Sequence, residues 1–281
     1  MEGGALLALP VDRLLAEAAA HGVGLRVLPD RAALYADLAE AMRAEVLRAG
    51  AERRDCRLIL PVGPKGQYAL FARRANAEAL DLRRLHVFAM DEYLDWQGRW
   101  IPEEHPLSFR GFLRRELLGA LDPALGFSPE RLVFPDPLAI DAYSRRIAEV
   151  GGVDCCFGGL GVHGHVAFNE PPLSRFHQVG AEALADSLTR VLPLAPETLV
   201  MNATRQAGGA FADFPPMAVT VGMRDIRAAR RIRLYCDGGA WQRYALRHTV
   251  AGPAGVAYPA TLLRGHPDFA VVADADAAAP A

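Results

Sequence analysis

A chain of 281 residues with 51% hydrophobic content has enough apolar material to bury a sizeable core, which excludes a disordered or low-complexity protein. Its 31 Lys+Arg against 33 Asp+Glu leave a formal charge of -2, so no global field draws in a nucleic acid backbone or an anionic membrane, and a small-molecule partner is expected. The stretch MEGGALLALPVDRLL carries Glu2 and Asp12 and lacks the basic start of a secretory signal, and no run reaches the roughly 20 apolar residues of a membrane span, so a soluble cytoplasmic protein is expected.

In chain order, GLRVLP (24–29) is the first strand candidate, followed by RAALYADLAEAMRAEVLRAGAE (31–52). Within that segment Leu34, Leu38, Met42 and Val46 recur at helical spacing behind Asp30, a natural N-cap. CRLILPV (56–62) and LHVFAM (85–90) follow as strands, then helices over 107–120 and 138–150, the latter with Ile140, Tyr143 and Ile147 on one stripe. VDCCFGGL (153–160), PMAVTVG (216–222), RIRLYCD (231–237) and FAVVAD (269–274) complete the strands. Most of these are continuous apolar runs, as strands covered on both faces should be. The alternation predicts one α/β domain over 1–281, a three-layer Rossmann-like fold with a mostly parallel central sheet flanked by helices. The Ala/Asp-rich tail at 275–281 is expected to fray. Cys56, Cys155, Cys156 and Cys236 lie in strand-like runs without C-x-x-C spacing, which predicts buried thiols. Arg83 and Arg84, and the group Arg230, Arg231 and Arg233, read as solvated element ends.

Ligands of open α/β sheets sit beyond the carboxyl ends of the strands. Three polar segments fall there, PVGPKGQ (61–67), MDEYLDW (90–96) and GLGVHGHVAFNEP (159–171), and they are expected to converge on one cleft. Of the neighbours Asp91 and Glu92, one carboxylate can enter the cleft while the other turns toward a structural partner. His163 and His165, two residues apart, share one face of an extended segment. That spacing leaves three uses open: metal ligation with Glu170 or His177 as third ligand, proton transfer with Glu170 orienting one imidazole, or a structural role. Gly158, Gly159, Gly161 and Gly164 leave backbone N–H groups clear for an anion.

Taken together, FAMDEYLDW, the Glu104-His105-Pro106 run with Ser108 and Phe109, GGLGVHGHVAFNEP, VTVGM (219–223) and YPATLL (258–263) resemble the glucosamine-6-phosphate deaminase/isomerase family, which is related to the 6-phosphogluconolactonases. The resemblance runs from about residue 25 to 275, and the N-E-P ending resembles the deaminase branch. It implies an enzyme that opens a hexosamine ring, moves a proton between C2 and C1 and releases ammonia, with no metal or organic cofactor. By the same resemblance Asp91 matches the proton-transfer base, His165 the ring-opening histidine and Glu170 its supporting carboxylate. Gly63, Lys65, Gly66, Glu92, Gly159, Gly161, Gly164 and Arg205 fall at substrate-binding places, and a homo-oligomer is compatible with the family.

The departures carry information of their own. His163 stands where the family has a carboxylate two residues before the catalytic histidine, so it reads as a reshaped catalytic neighbour. Val62-Gly63-Pro64-Lys65-Gly66 replaces a Gly-Gly-x-Thr-Pro type phosphate turn, and Pro64 has no N–H to give. CDGGAWQ (236–242) lacks the family's phosphate lysine and adds Asp237, while Arg205 in MNATRQ is one place out of register. These changes predict an altered substrate, a sugar with another group at C6 or an unphosphorylated one, with Trp96, Trp100 and Trp241 as stacking candidates. The alternatives are a lactonase-like hydrolase using His165 as general base, a non-catalytic sugar sensor, and a metal-dependent hydrolase acting through His163 and His165.

Overall fold

The computed structural model describes residues 3–174 and 176–281. Helices α1 (Gly3–Leu7) and α2 (Val11–Ala20) precede β1 (Gly24–Leu28) and α3 (Arg31–Ala51). The start of α3 is set by Asp30, whose carboxylate accepts a 2.8 Å hydrogen bond from Ala33 N–H. Asp30→Ala should cost about 1 kcal/mol of stability, read as a lower urea midpoint with unchanged slope; an unmoved midpoint would remove the cap from the account of this helix.

Next come β2 (Cys56–Leu60), α4 (Gln67–Ala77), β3 (Leu85–Ala89), β4 (Asp91–Leu94), α5 (Phe109–Glu116), β5 (Leu132–Val133), α6 (Ile140–Glu149) and β6 (Cys155–Gly159). The remainder is α7 (Ala181–Ala185), β7 (Arg190–Pro193), α8 (Pro196–Gln206), β8 (Met217–Thr220), α9 (Met223–Arg227), β9 (Arg231–Cys236), α10 (Arg243–Ala251), β10 (Phe269–Asp274) and α11 (Ala275–Ala278).

Seven strands form one sheet in the order β1-β10-β9-β6-β2-β3-β5. Every pair in it is parallel, the arrangement expected of apolar strands joined by helical crossovers. Side chains alternate across it, so each strand feeds two cores. On β2, Leu58 and Leu60 pack with Leu38 of α3 and Phe71 of α4, whereas Ile59 packs with Ile226 of α9 and Leu246 of α10. All four cysteines are free and buried. No helix among the described residues is long and apolar enough to cross a membrane.

Four sequence expectations change here. The PMAVTVG segment does not join the parallel sheet: β8 pairs antiparallel with β4 and β7 in a separate sheet of order β4-β8-β7. MDEY, expected as a loop, is therefore a strand, and the chain passes between the sheets at Met90, whose N–H bonds Leu60 O and whose carbonyl accepts from Val221 N–H. The tail does not fray as expected, because Asp274 caps α11 by accepting from Ala277 N–H at 2.8 Å and buries Ala277 and Ala278. Arg247, itself buried, donates to Ala278 O at 2.8 Å and to Leu9 O at 3.0 Å, tying that helix to the loop after α1. Finally, Arg231 and Arg233 are not free ends: Arg231 holds buried Glu45 and Arg233 holds Asp268.

Candidate active site

A cleft of about 490 Å³ opens beyond the carboxyl ends of β2, β3, β6 and β9, a size suited to a small molecule. The turn after β2 supplies Gly63 and Lys65, the β3–β4 junction supplies Asp91, the end of β6 supplies Gly159 and the loop after it Gly161 and His165, and the turn after β9 supplies Asp237 and Trp241. The three polar segments singled out in the sequence thus meet on one cavity. A strand ends there with its last carbonyl and following side chains aimed past the sheet, which is why residues distant in sequence converge.

Asp91 is 7% exposed, and burial together with the nearby Glu92 carboxylate holds its carboxyl well above the usual range. Glu92 turns the other way. Its fully buried carboxylate accepts from Tyr93 N–H at 2.8 Å, Phe109 N–H at 2.9 Å, Arg110 N–H at 2.8 Å and the Ser108 hydroxyl at 2.9 Å. Ser108 Oγ then accepts from Gly111 N–H at 3.1 Å as the N-cap of α5. The expectation that Glu92 binds substrate is corrected: it does not line the cleft, because its acceptor capacity is spent anchoring this helix start.

The loop after β6 is tight. Gly161 N–H bonds His165 O at 2.8 Å, Gly164 N–H bonds Gly161 O at 2.9 Å, and Ala260 N–H bonds Gly164 O at 2.7 Å. A Cβ on Gly161 would stand 2.0 Å from His165 Nε2, so only glycine lets the imidazole lie over the chain here. Gly164 has φ +59, in the left-handed region, and shapes this turn away from the cleft lining. Gly66 likewise stands behind the lining, with the Tyr35 ring packed against it. Ala167, which does line the cleft, has φ 52, a strained conformation for a residue with a Cβ. Asn169 closes the loop by donating to Val166 O and Val221 O and accepting from Arg190.

His165 is 5% exposed, and burial with the nearby His163 pushes its pKa down to about 3, so the imidazole is neutral. His163 lies behind the cleft wall, its ring 5.7 Å from that of His165 and its Nε2 3.6 Å from a carboxylate oxygen of Glu197. Glu170 also stands behind the wall, 6% exposed, with Oε2 accepting from Ala195 N–H at 2.6 Å; burial raises its pKa. His163, His165 and Glu170 each offer a possible ligand atom, all within 4.8 Å of one another, whereas His177 is exposed and outside this group.

The cleft lining also includes three cations, Arg31, Lys65 and Arg205. Lys65 lines the cleft while remaining exposed, with Nζ 5.4 Å from the Phe112 ring centroid and 3.5 Å from Gln206 Oε1, and partial burial lowers its pKa, with Arg205 adding to the effect. Arg205 lies over Trp241 at 4.6 Å, and Asp237 accepts from the Tyr35 hydroxyl at 2.8 Å. Trp241 thus reaches the cleft; Trp96 is 75% exposed, and Trp100 carries the Arg110 guanidinium at 4.3 Å outside it. Sequence reasoning missed Arg31, Tyr35 and Asn202. Arg31 follows the carboxyl end of β1 and begins α3, so the strand-end rule applied to β1 would have found it.

Residues 29–179 match the family described as glucosamine-6-phosphate isomerases/6-phosphogluconolactonase. The glucosamine-6-phosphate deaminase of Pseudarthrobacter chlorophenolicus is 35% identical over 205 residues, 72% of each chain. That of Mycolicibacterium smegmatis is 33% identical over 257 residues, 90% of each chain. Among solved structures, a monomeric glucosamine-6-phosphate deaminase superposes with a TM-score of 0.76 at 24% identity, covering 91% of this chain and 99% of that one. The 6-phosphogluconolactonase of Thermotoga maritima does so at 0.64 and 18%, covering 90% of this chain and 99% of that one.

Proposed function

Since the chain belongs to the glucosamine-6-phosphate isomerase/6-phosphogluconolactonase family, we propose that it is a deaminating isomerase of an amino sugar bearing an anionic group at its far end. The observation that carries this reading is the content of one cleft: a buried carboxylate with a raised pKa, Asp91, and a neutral imidazole, His165, line it together with Arg31, Lys65 and Arg205. The cations hold the anionic end, which places C1 and C2 toward the strand ends. His165 takes the proton of the anomeric hydroxyl and returns it to the ring oxygen, so the ring C–O bond breaks and the aldehyde forms. Ionised Asp91 then removes the C2 proton and delivers it to C1 while an amine proton passes to O1, leaving a hydroxymethyl at C1 and an imine at C2. Water adds there and ammonia leaves, giving the ketose. Burial favours this chemistry, because a carboxylate stripped of water is a stronger base than a solvated one.

The unusual turn at 62–66 alters how the anion is held. Pro64 contributes no N–H, and a lysine ammonium and two guanidiniums take over, with Asp237 beside them as an acceptor held by Tyr35. The substrate in this reading pairs an acidic group with a hydroxyl or amine donor that Asp237 can accept. The test is ammonia release from glucosamine 6-phosphate and from amino sugars carrying other acidic groups at C6. Arg205→Ala should raise KM about tenfold or more with a smaller change in kcat. Turnover of 6-phosphogluconolactone without ammonia release from any amino sugar would replace deamination by hydrolysis.

A further inference from the structure

His163 Nδ1, His165 Nδ1 and Glu170 Oε1 are buried side-chain atoms without a hydrogen-bond partner. Leaving such an atom unpaired costs about 1–3 kcal/mol, and these three belong to side chains whose ligand atoms lie within 4.8 Å of one another. Two of the three are also fixed from outside. The Nε2 of His163 faces Glu197 at 3.6 Å, so an Nε2–H directed at that carboxylate leaves Nδ1 as a bare lone pair. Ala195 N–H holds Glu170 by Oε2 at 2.6 Å, and the Thr198 side chain also hydrogen-bonds this carboxylate. A cluster of acceptors whose far sides are held by other groups is what a cation site requires, and two imidazoles with one carboxylate form a donor set suited to zinc.

We propose that His163, His165 and Glu170 form a three-ligand site for a divalent transition metal of the zinc class, with Glu197 as the outer partner of His163. His165 belongs to this site and to the cleft wall, so a cation held here would stand next to the cleft. The replacement of a family carboxylate by His163 then exchanges an oxygen donor for a nitrogen donor, giving two imidazoles and one carboxylate. The site is argued from its own geometry, and a cation held through His165 Nδ1 leaves the ring proton on Nε2 and removes the lone pair that the proposed ring opening uses, so zinc is expected to suppress ammonia release.

The experiment uses the full chain purified without an affinity tag and stripped with a chelator, then titrated calorimetrically with zinc chloride. The expected result is one equivalent bound with an accompanying rise in Tm. Glu170→Gln and His163→Ala should each weaken binding about a hundredfold or more, and the exposed Glu197→Gln about tenfold as an outer partner. His177→Ala, at an exposed histidine, should leave it unchanged. Absence of stoichiometric uptake, or uptake undiminished in Glu170→Gln and Glu197→Gln, would overturn the site even if His163→Ala failed to fold. Ammonia release measured on the same samples separates the two proposals, because loss of metal uptake with turnover intact bears on the site alone.

Discussion

Asp91→Asn should abolish deuterium exchange at C2 of the substrate, a loss of about a thousandfold or more for a removed general base, while leaving substrate affinity nearly unchanged. The replacement keeps the shape of the side chain and removes only its ability to accept the proton. The same variant should be more stable than the parent at neutral pH. Burial and Glu92 raise the folded-state pKa of Asp91 above its unfolded value. The stability linked to this group is therefore complete below the unfolded pKa and is lost as pH rises toward and through the folded pKa, where the unfolded chain gives up its proton first. Asparagine has no such proton to lose, and relief of a buried charge at an active site is a common route to added stability. Activity runs the opposite way, rising with pH as Asp91 ionises, so the acidic limb of kcat/KM should lie well above the ordinary carboxylate range. Exchange retained in Asp91→Asn, or a Tm below that of the parent at neutral pH, would remove Asp91 from this role.

Glu92→Ala should destabilise the protein by about 3–5 kcal/mol, as expected when several buried donors lose one charged acceptor. The amides of Tyr93, Phe109 and Arg110 and the Ser108 hydroxyl all donate to this carboxylate, and Tyr93, Phe109 and Ser108 are buried, with Arg110 half-buried. Urea unfolding gives the total, and amide hydrogen exchange should accelerate first at Phe109 and Arg110, where α5 begins. A loss under about 1 kcal/mol would mean that these donors find other acceptors and that Glu92 does not anchor the helix. Adjacent acids thus serve different ends: one is available to the cleft because its neighbour is fully engaged in the fold.

The large sheet was legible because continuous apolar runs have little use except as strands buried on both faces, and LHVFAM and FAVVAD are such runs. The α3 start was legible for a local reason, a short side chain reaching an N–H three residues on. The small sheet was not: β4 reads DEYL, with two acids and no alternation, and β7 ends in Pro193, so only pairing with β8 makes either a strand. The role of Glu92 depends on contacts 16 to 18 residues further along the chain, and the Tyr35 to Asp237 bond spans 202 residues. Motif spacing carried Asp91 and His165 to the cleft, but it could not tell which of His163, Gly66 and Gly164 would face it, because that depends on turns closed by individual backbone hydrogen bonds.

The cleft draws its two kinds of residue from different parts of the scaffold. Asp91 and His165 sit at or beyond the ends of β3 and β6, in segments whose backbones are bonded into both sheets or into a closed loop. Arg31, Lys65 and Arg205 project from the first residue of α3, a turn and the last part of α8. A replacement among the second group leaves sheet hydrogen bonding untouched, whereas one among the first must respect it. Divergence in such a protein can therefore proceed along one axis at a time, with new substrates recruited by exchanging cations at the periphery while the central acid stays in place. For the same reason, a library confined to positions 31, 65, 205 and 237 should be rich in folded proteins with redirected preferences.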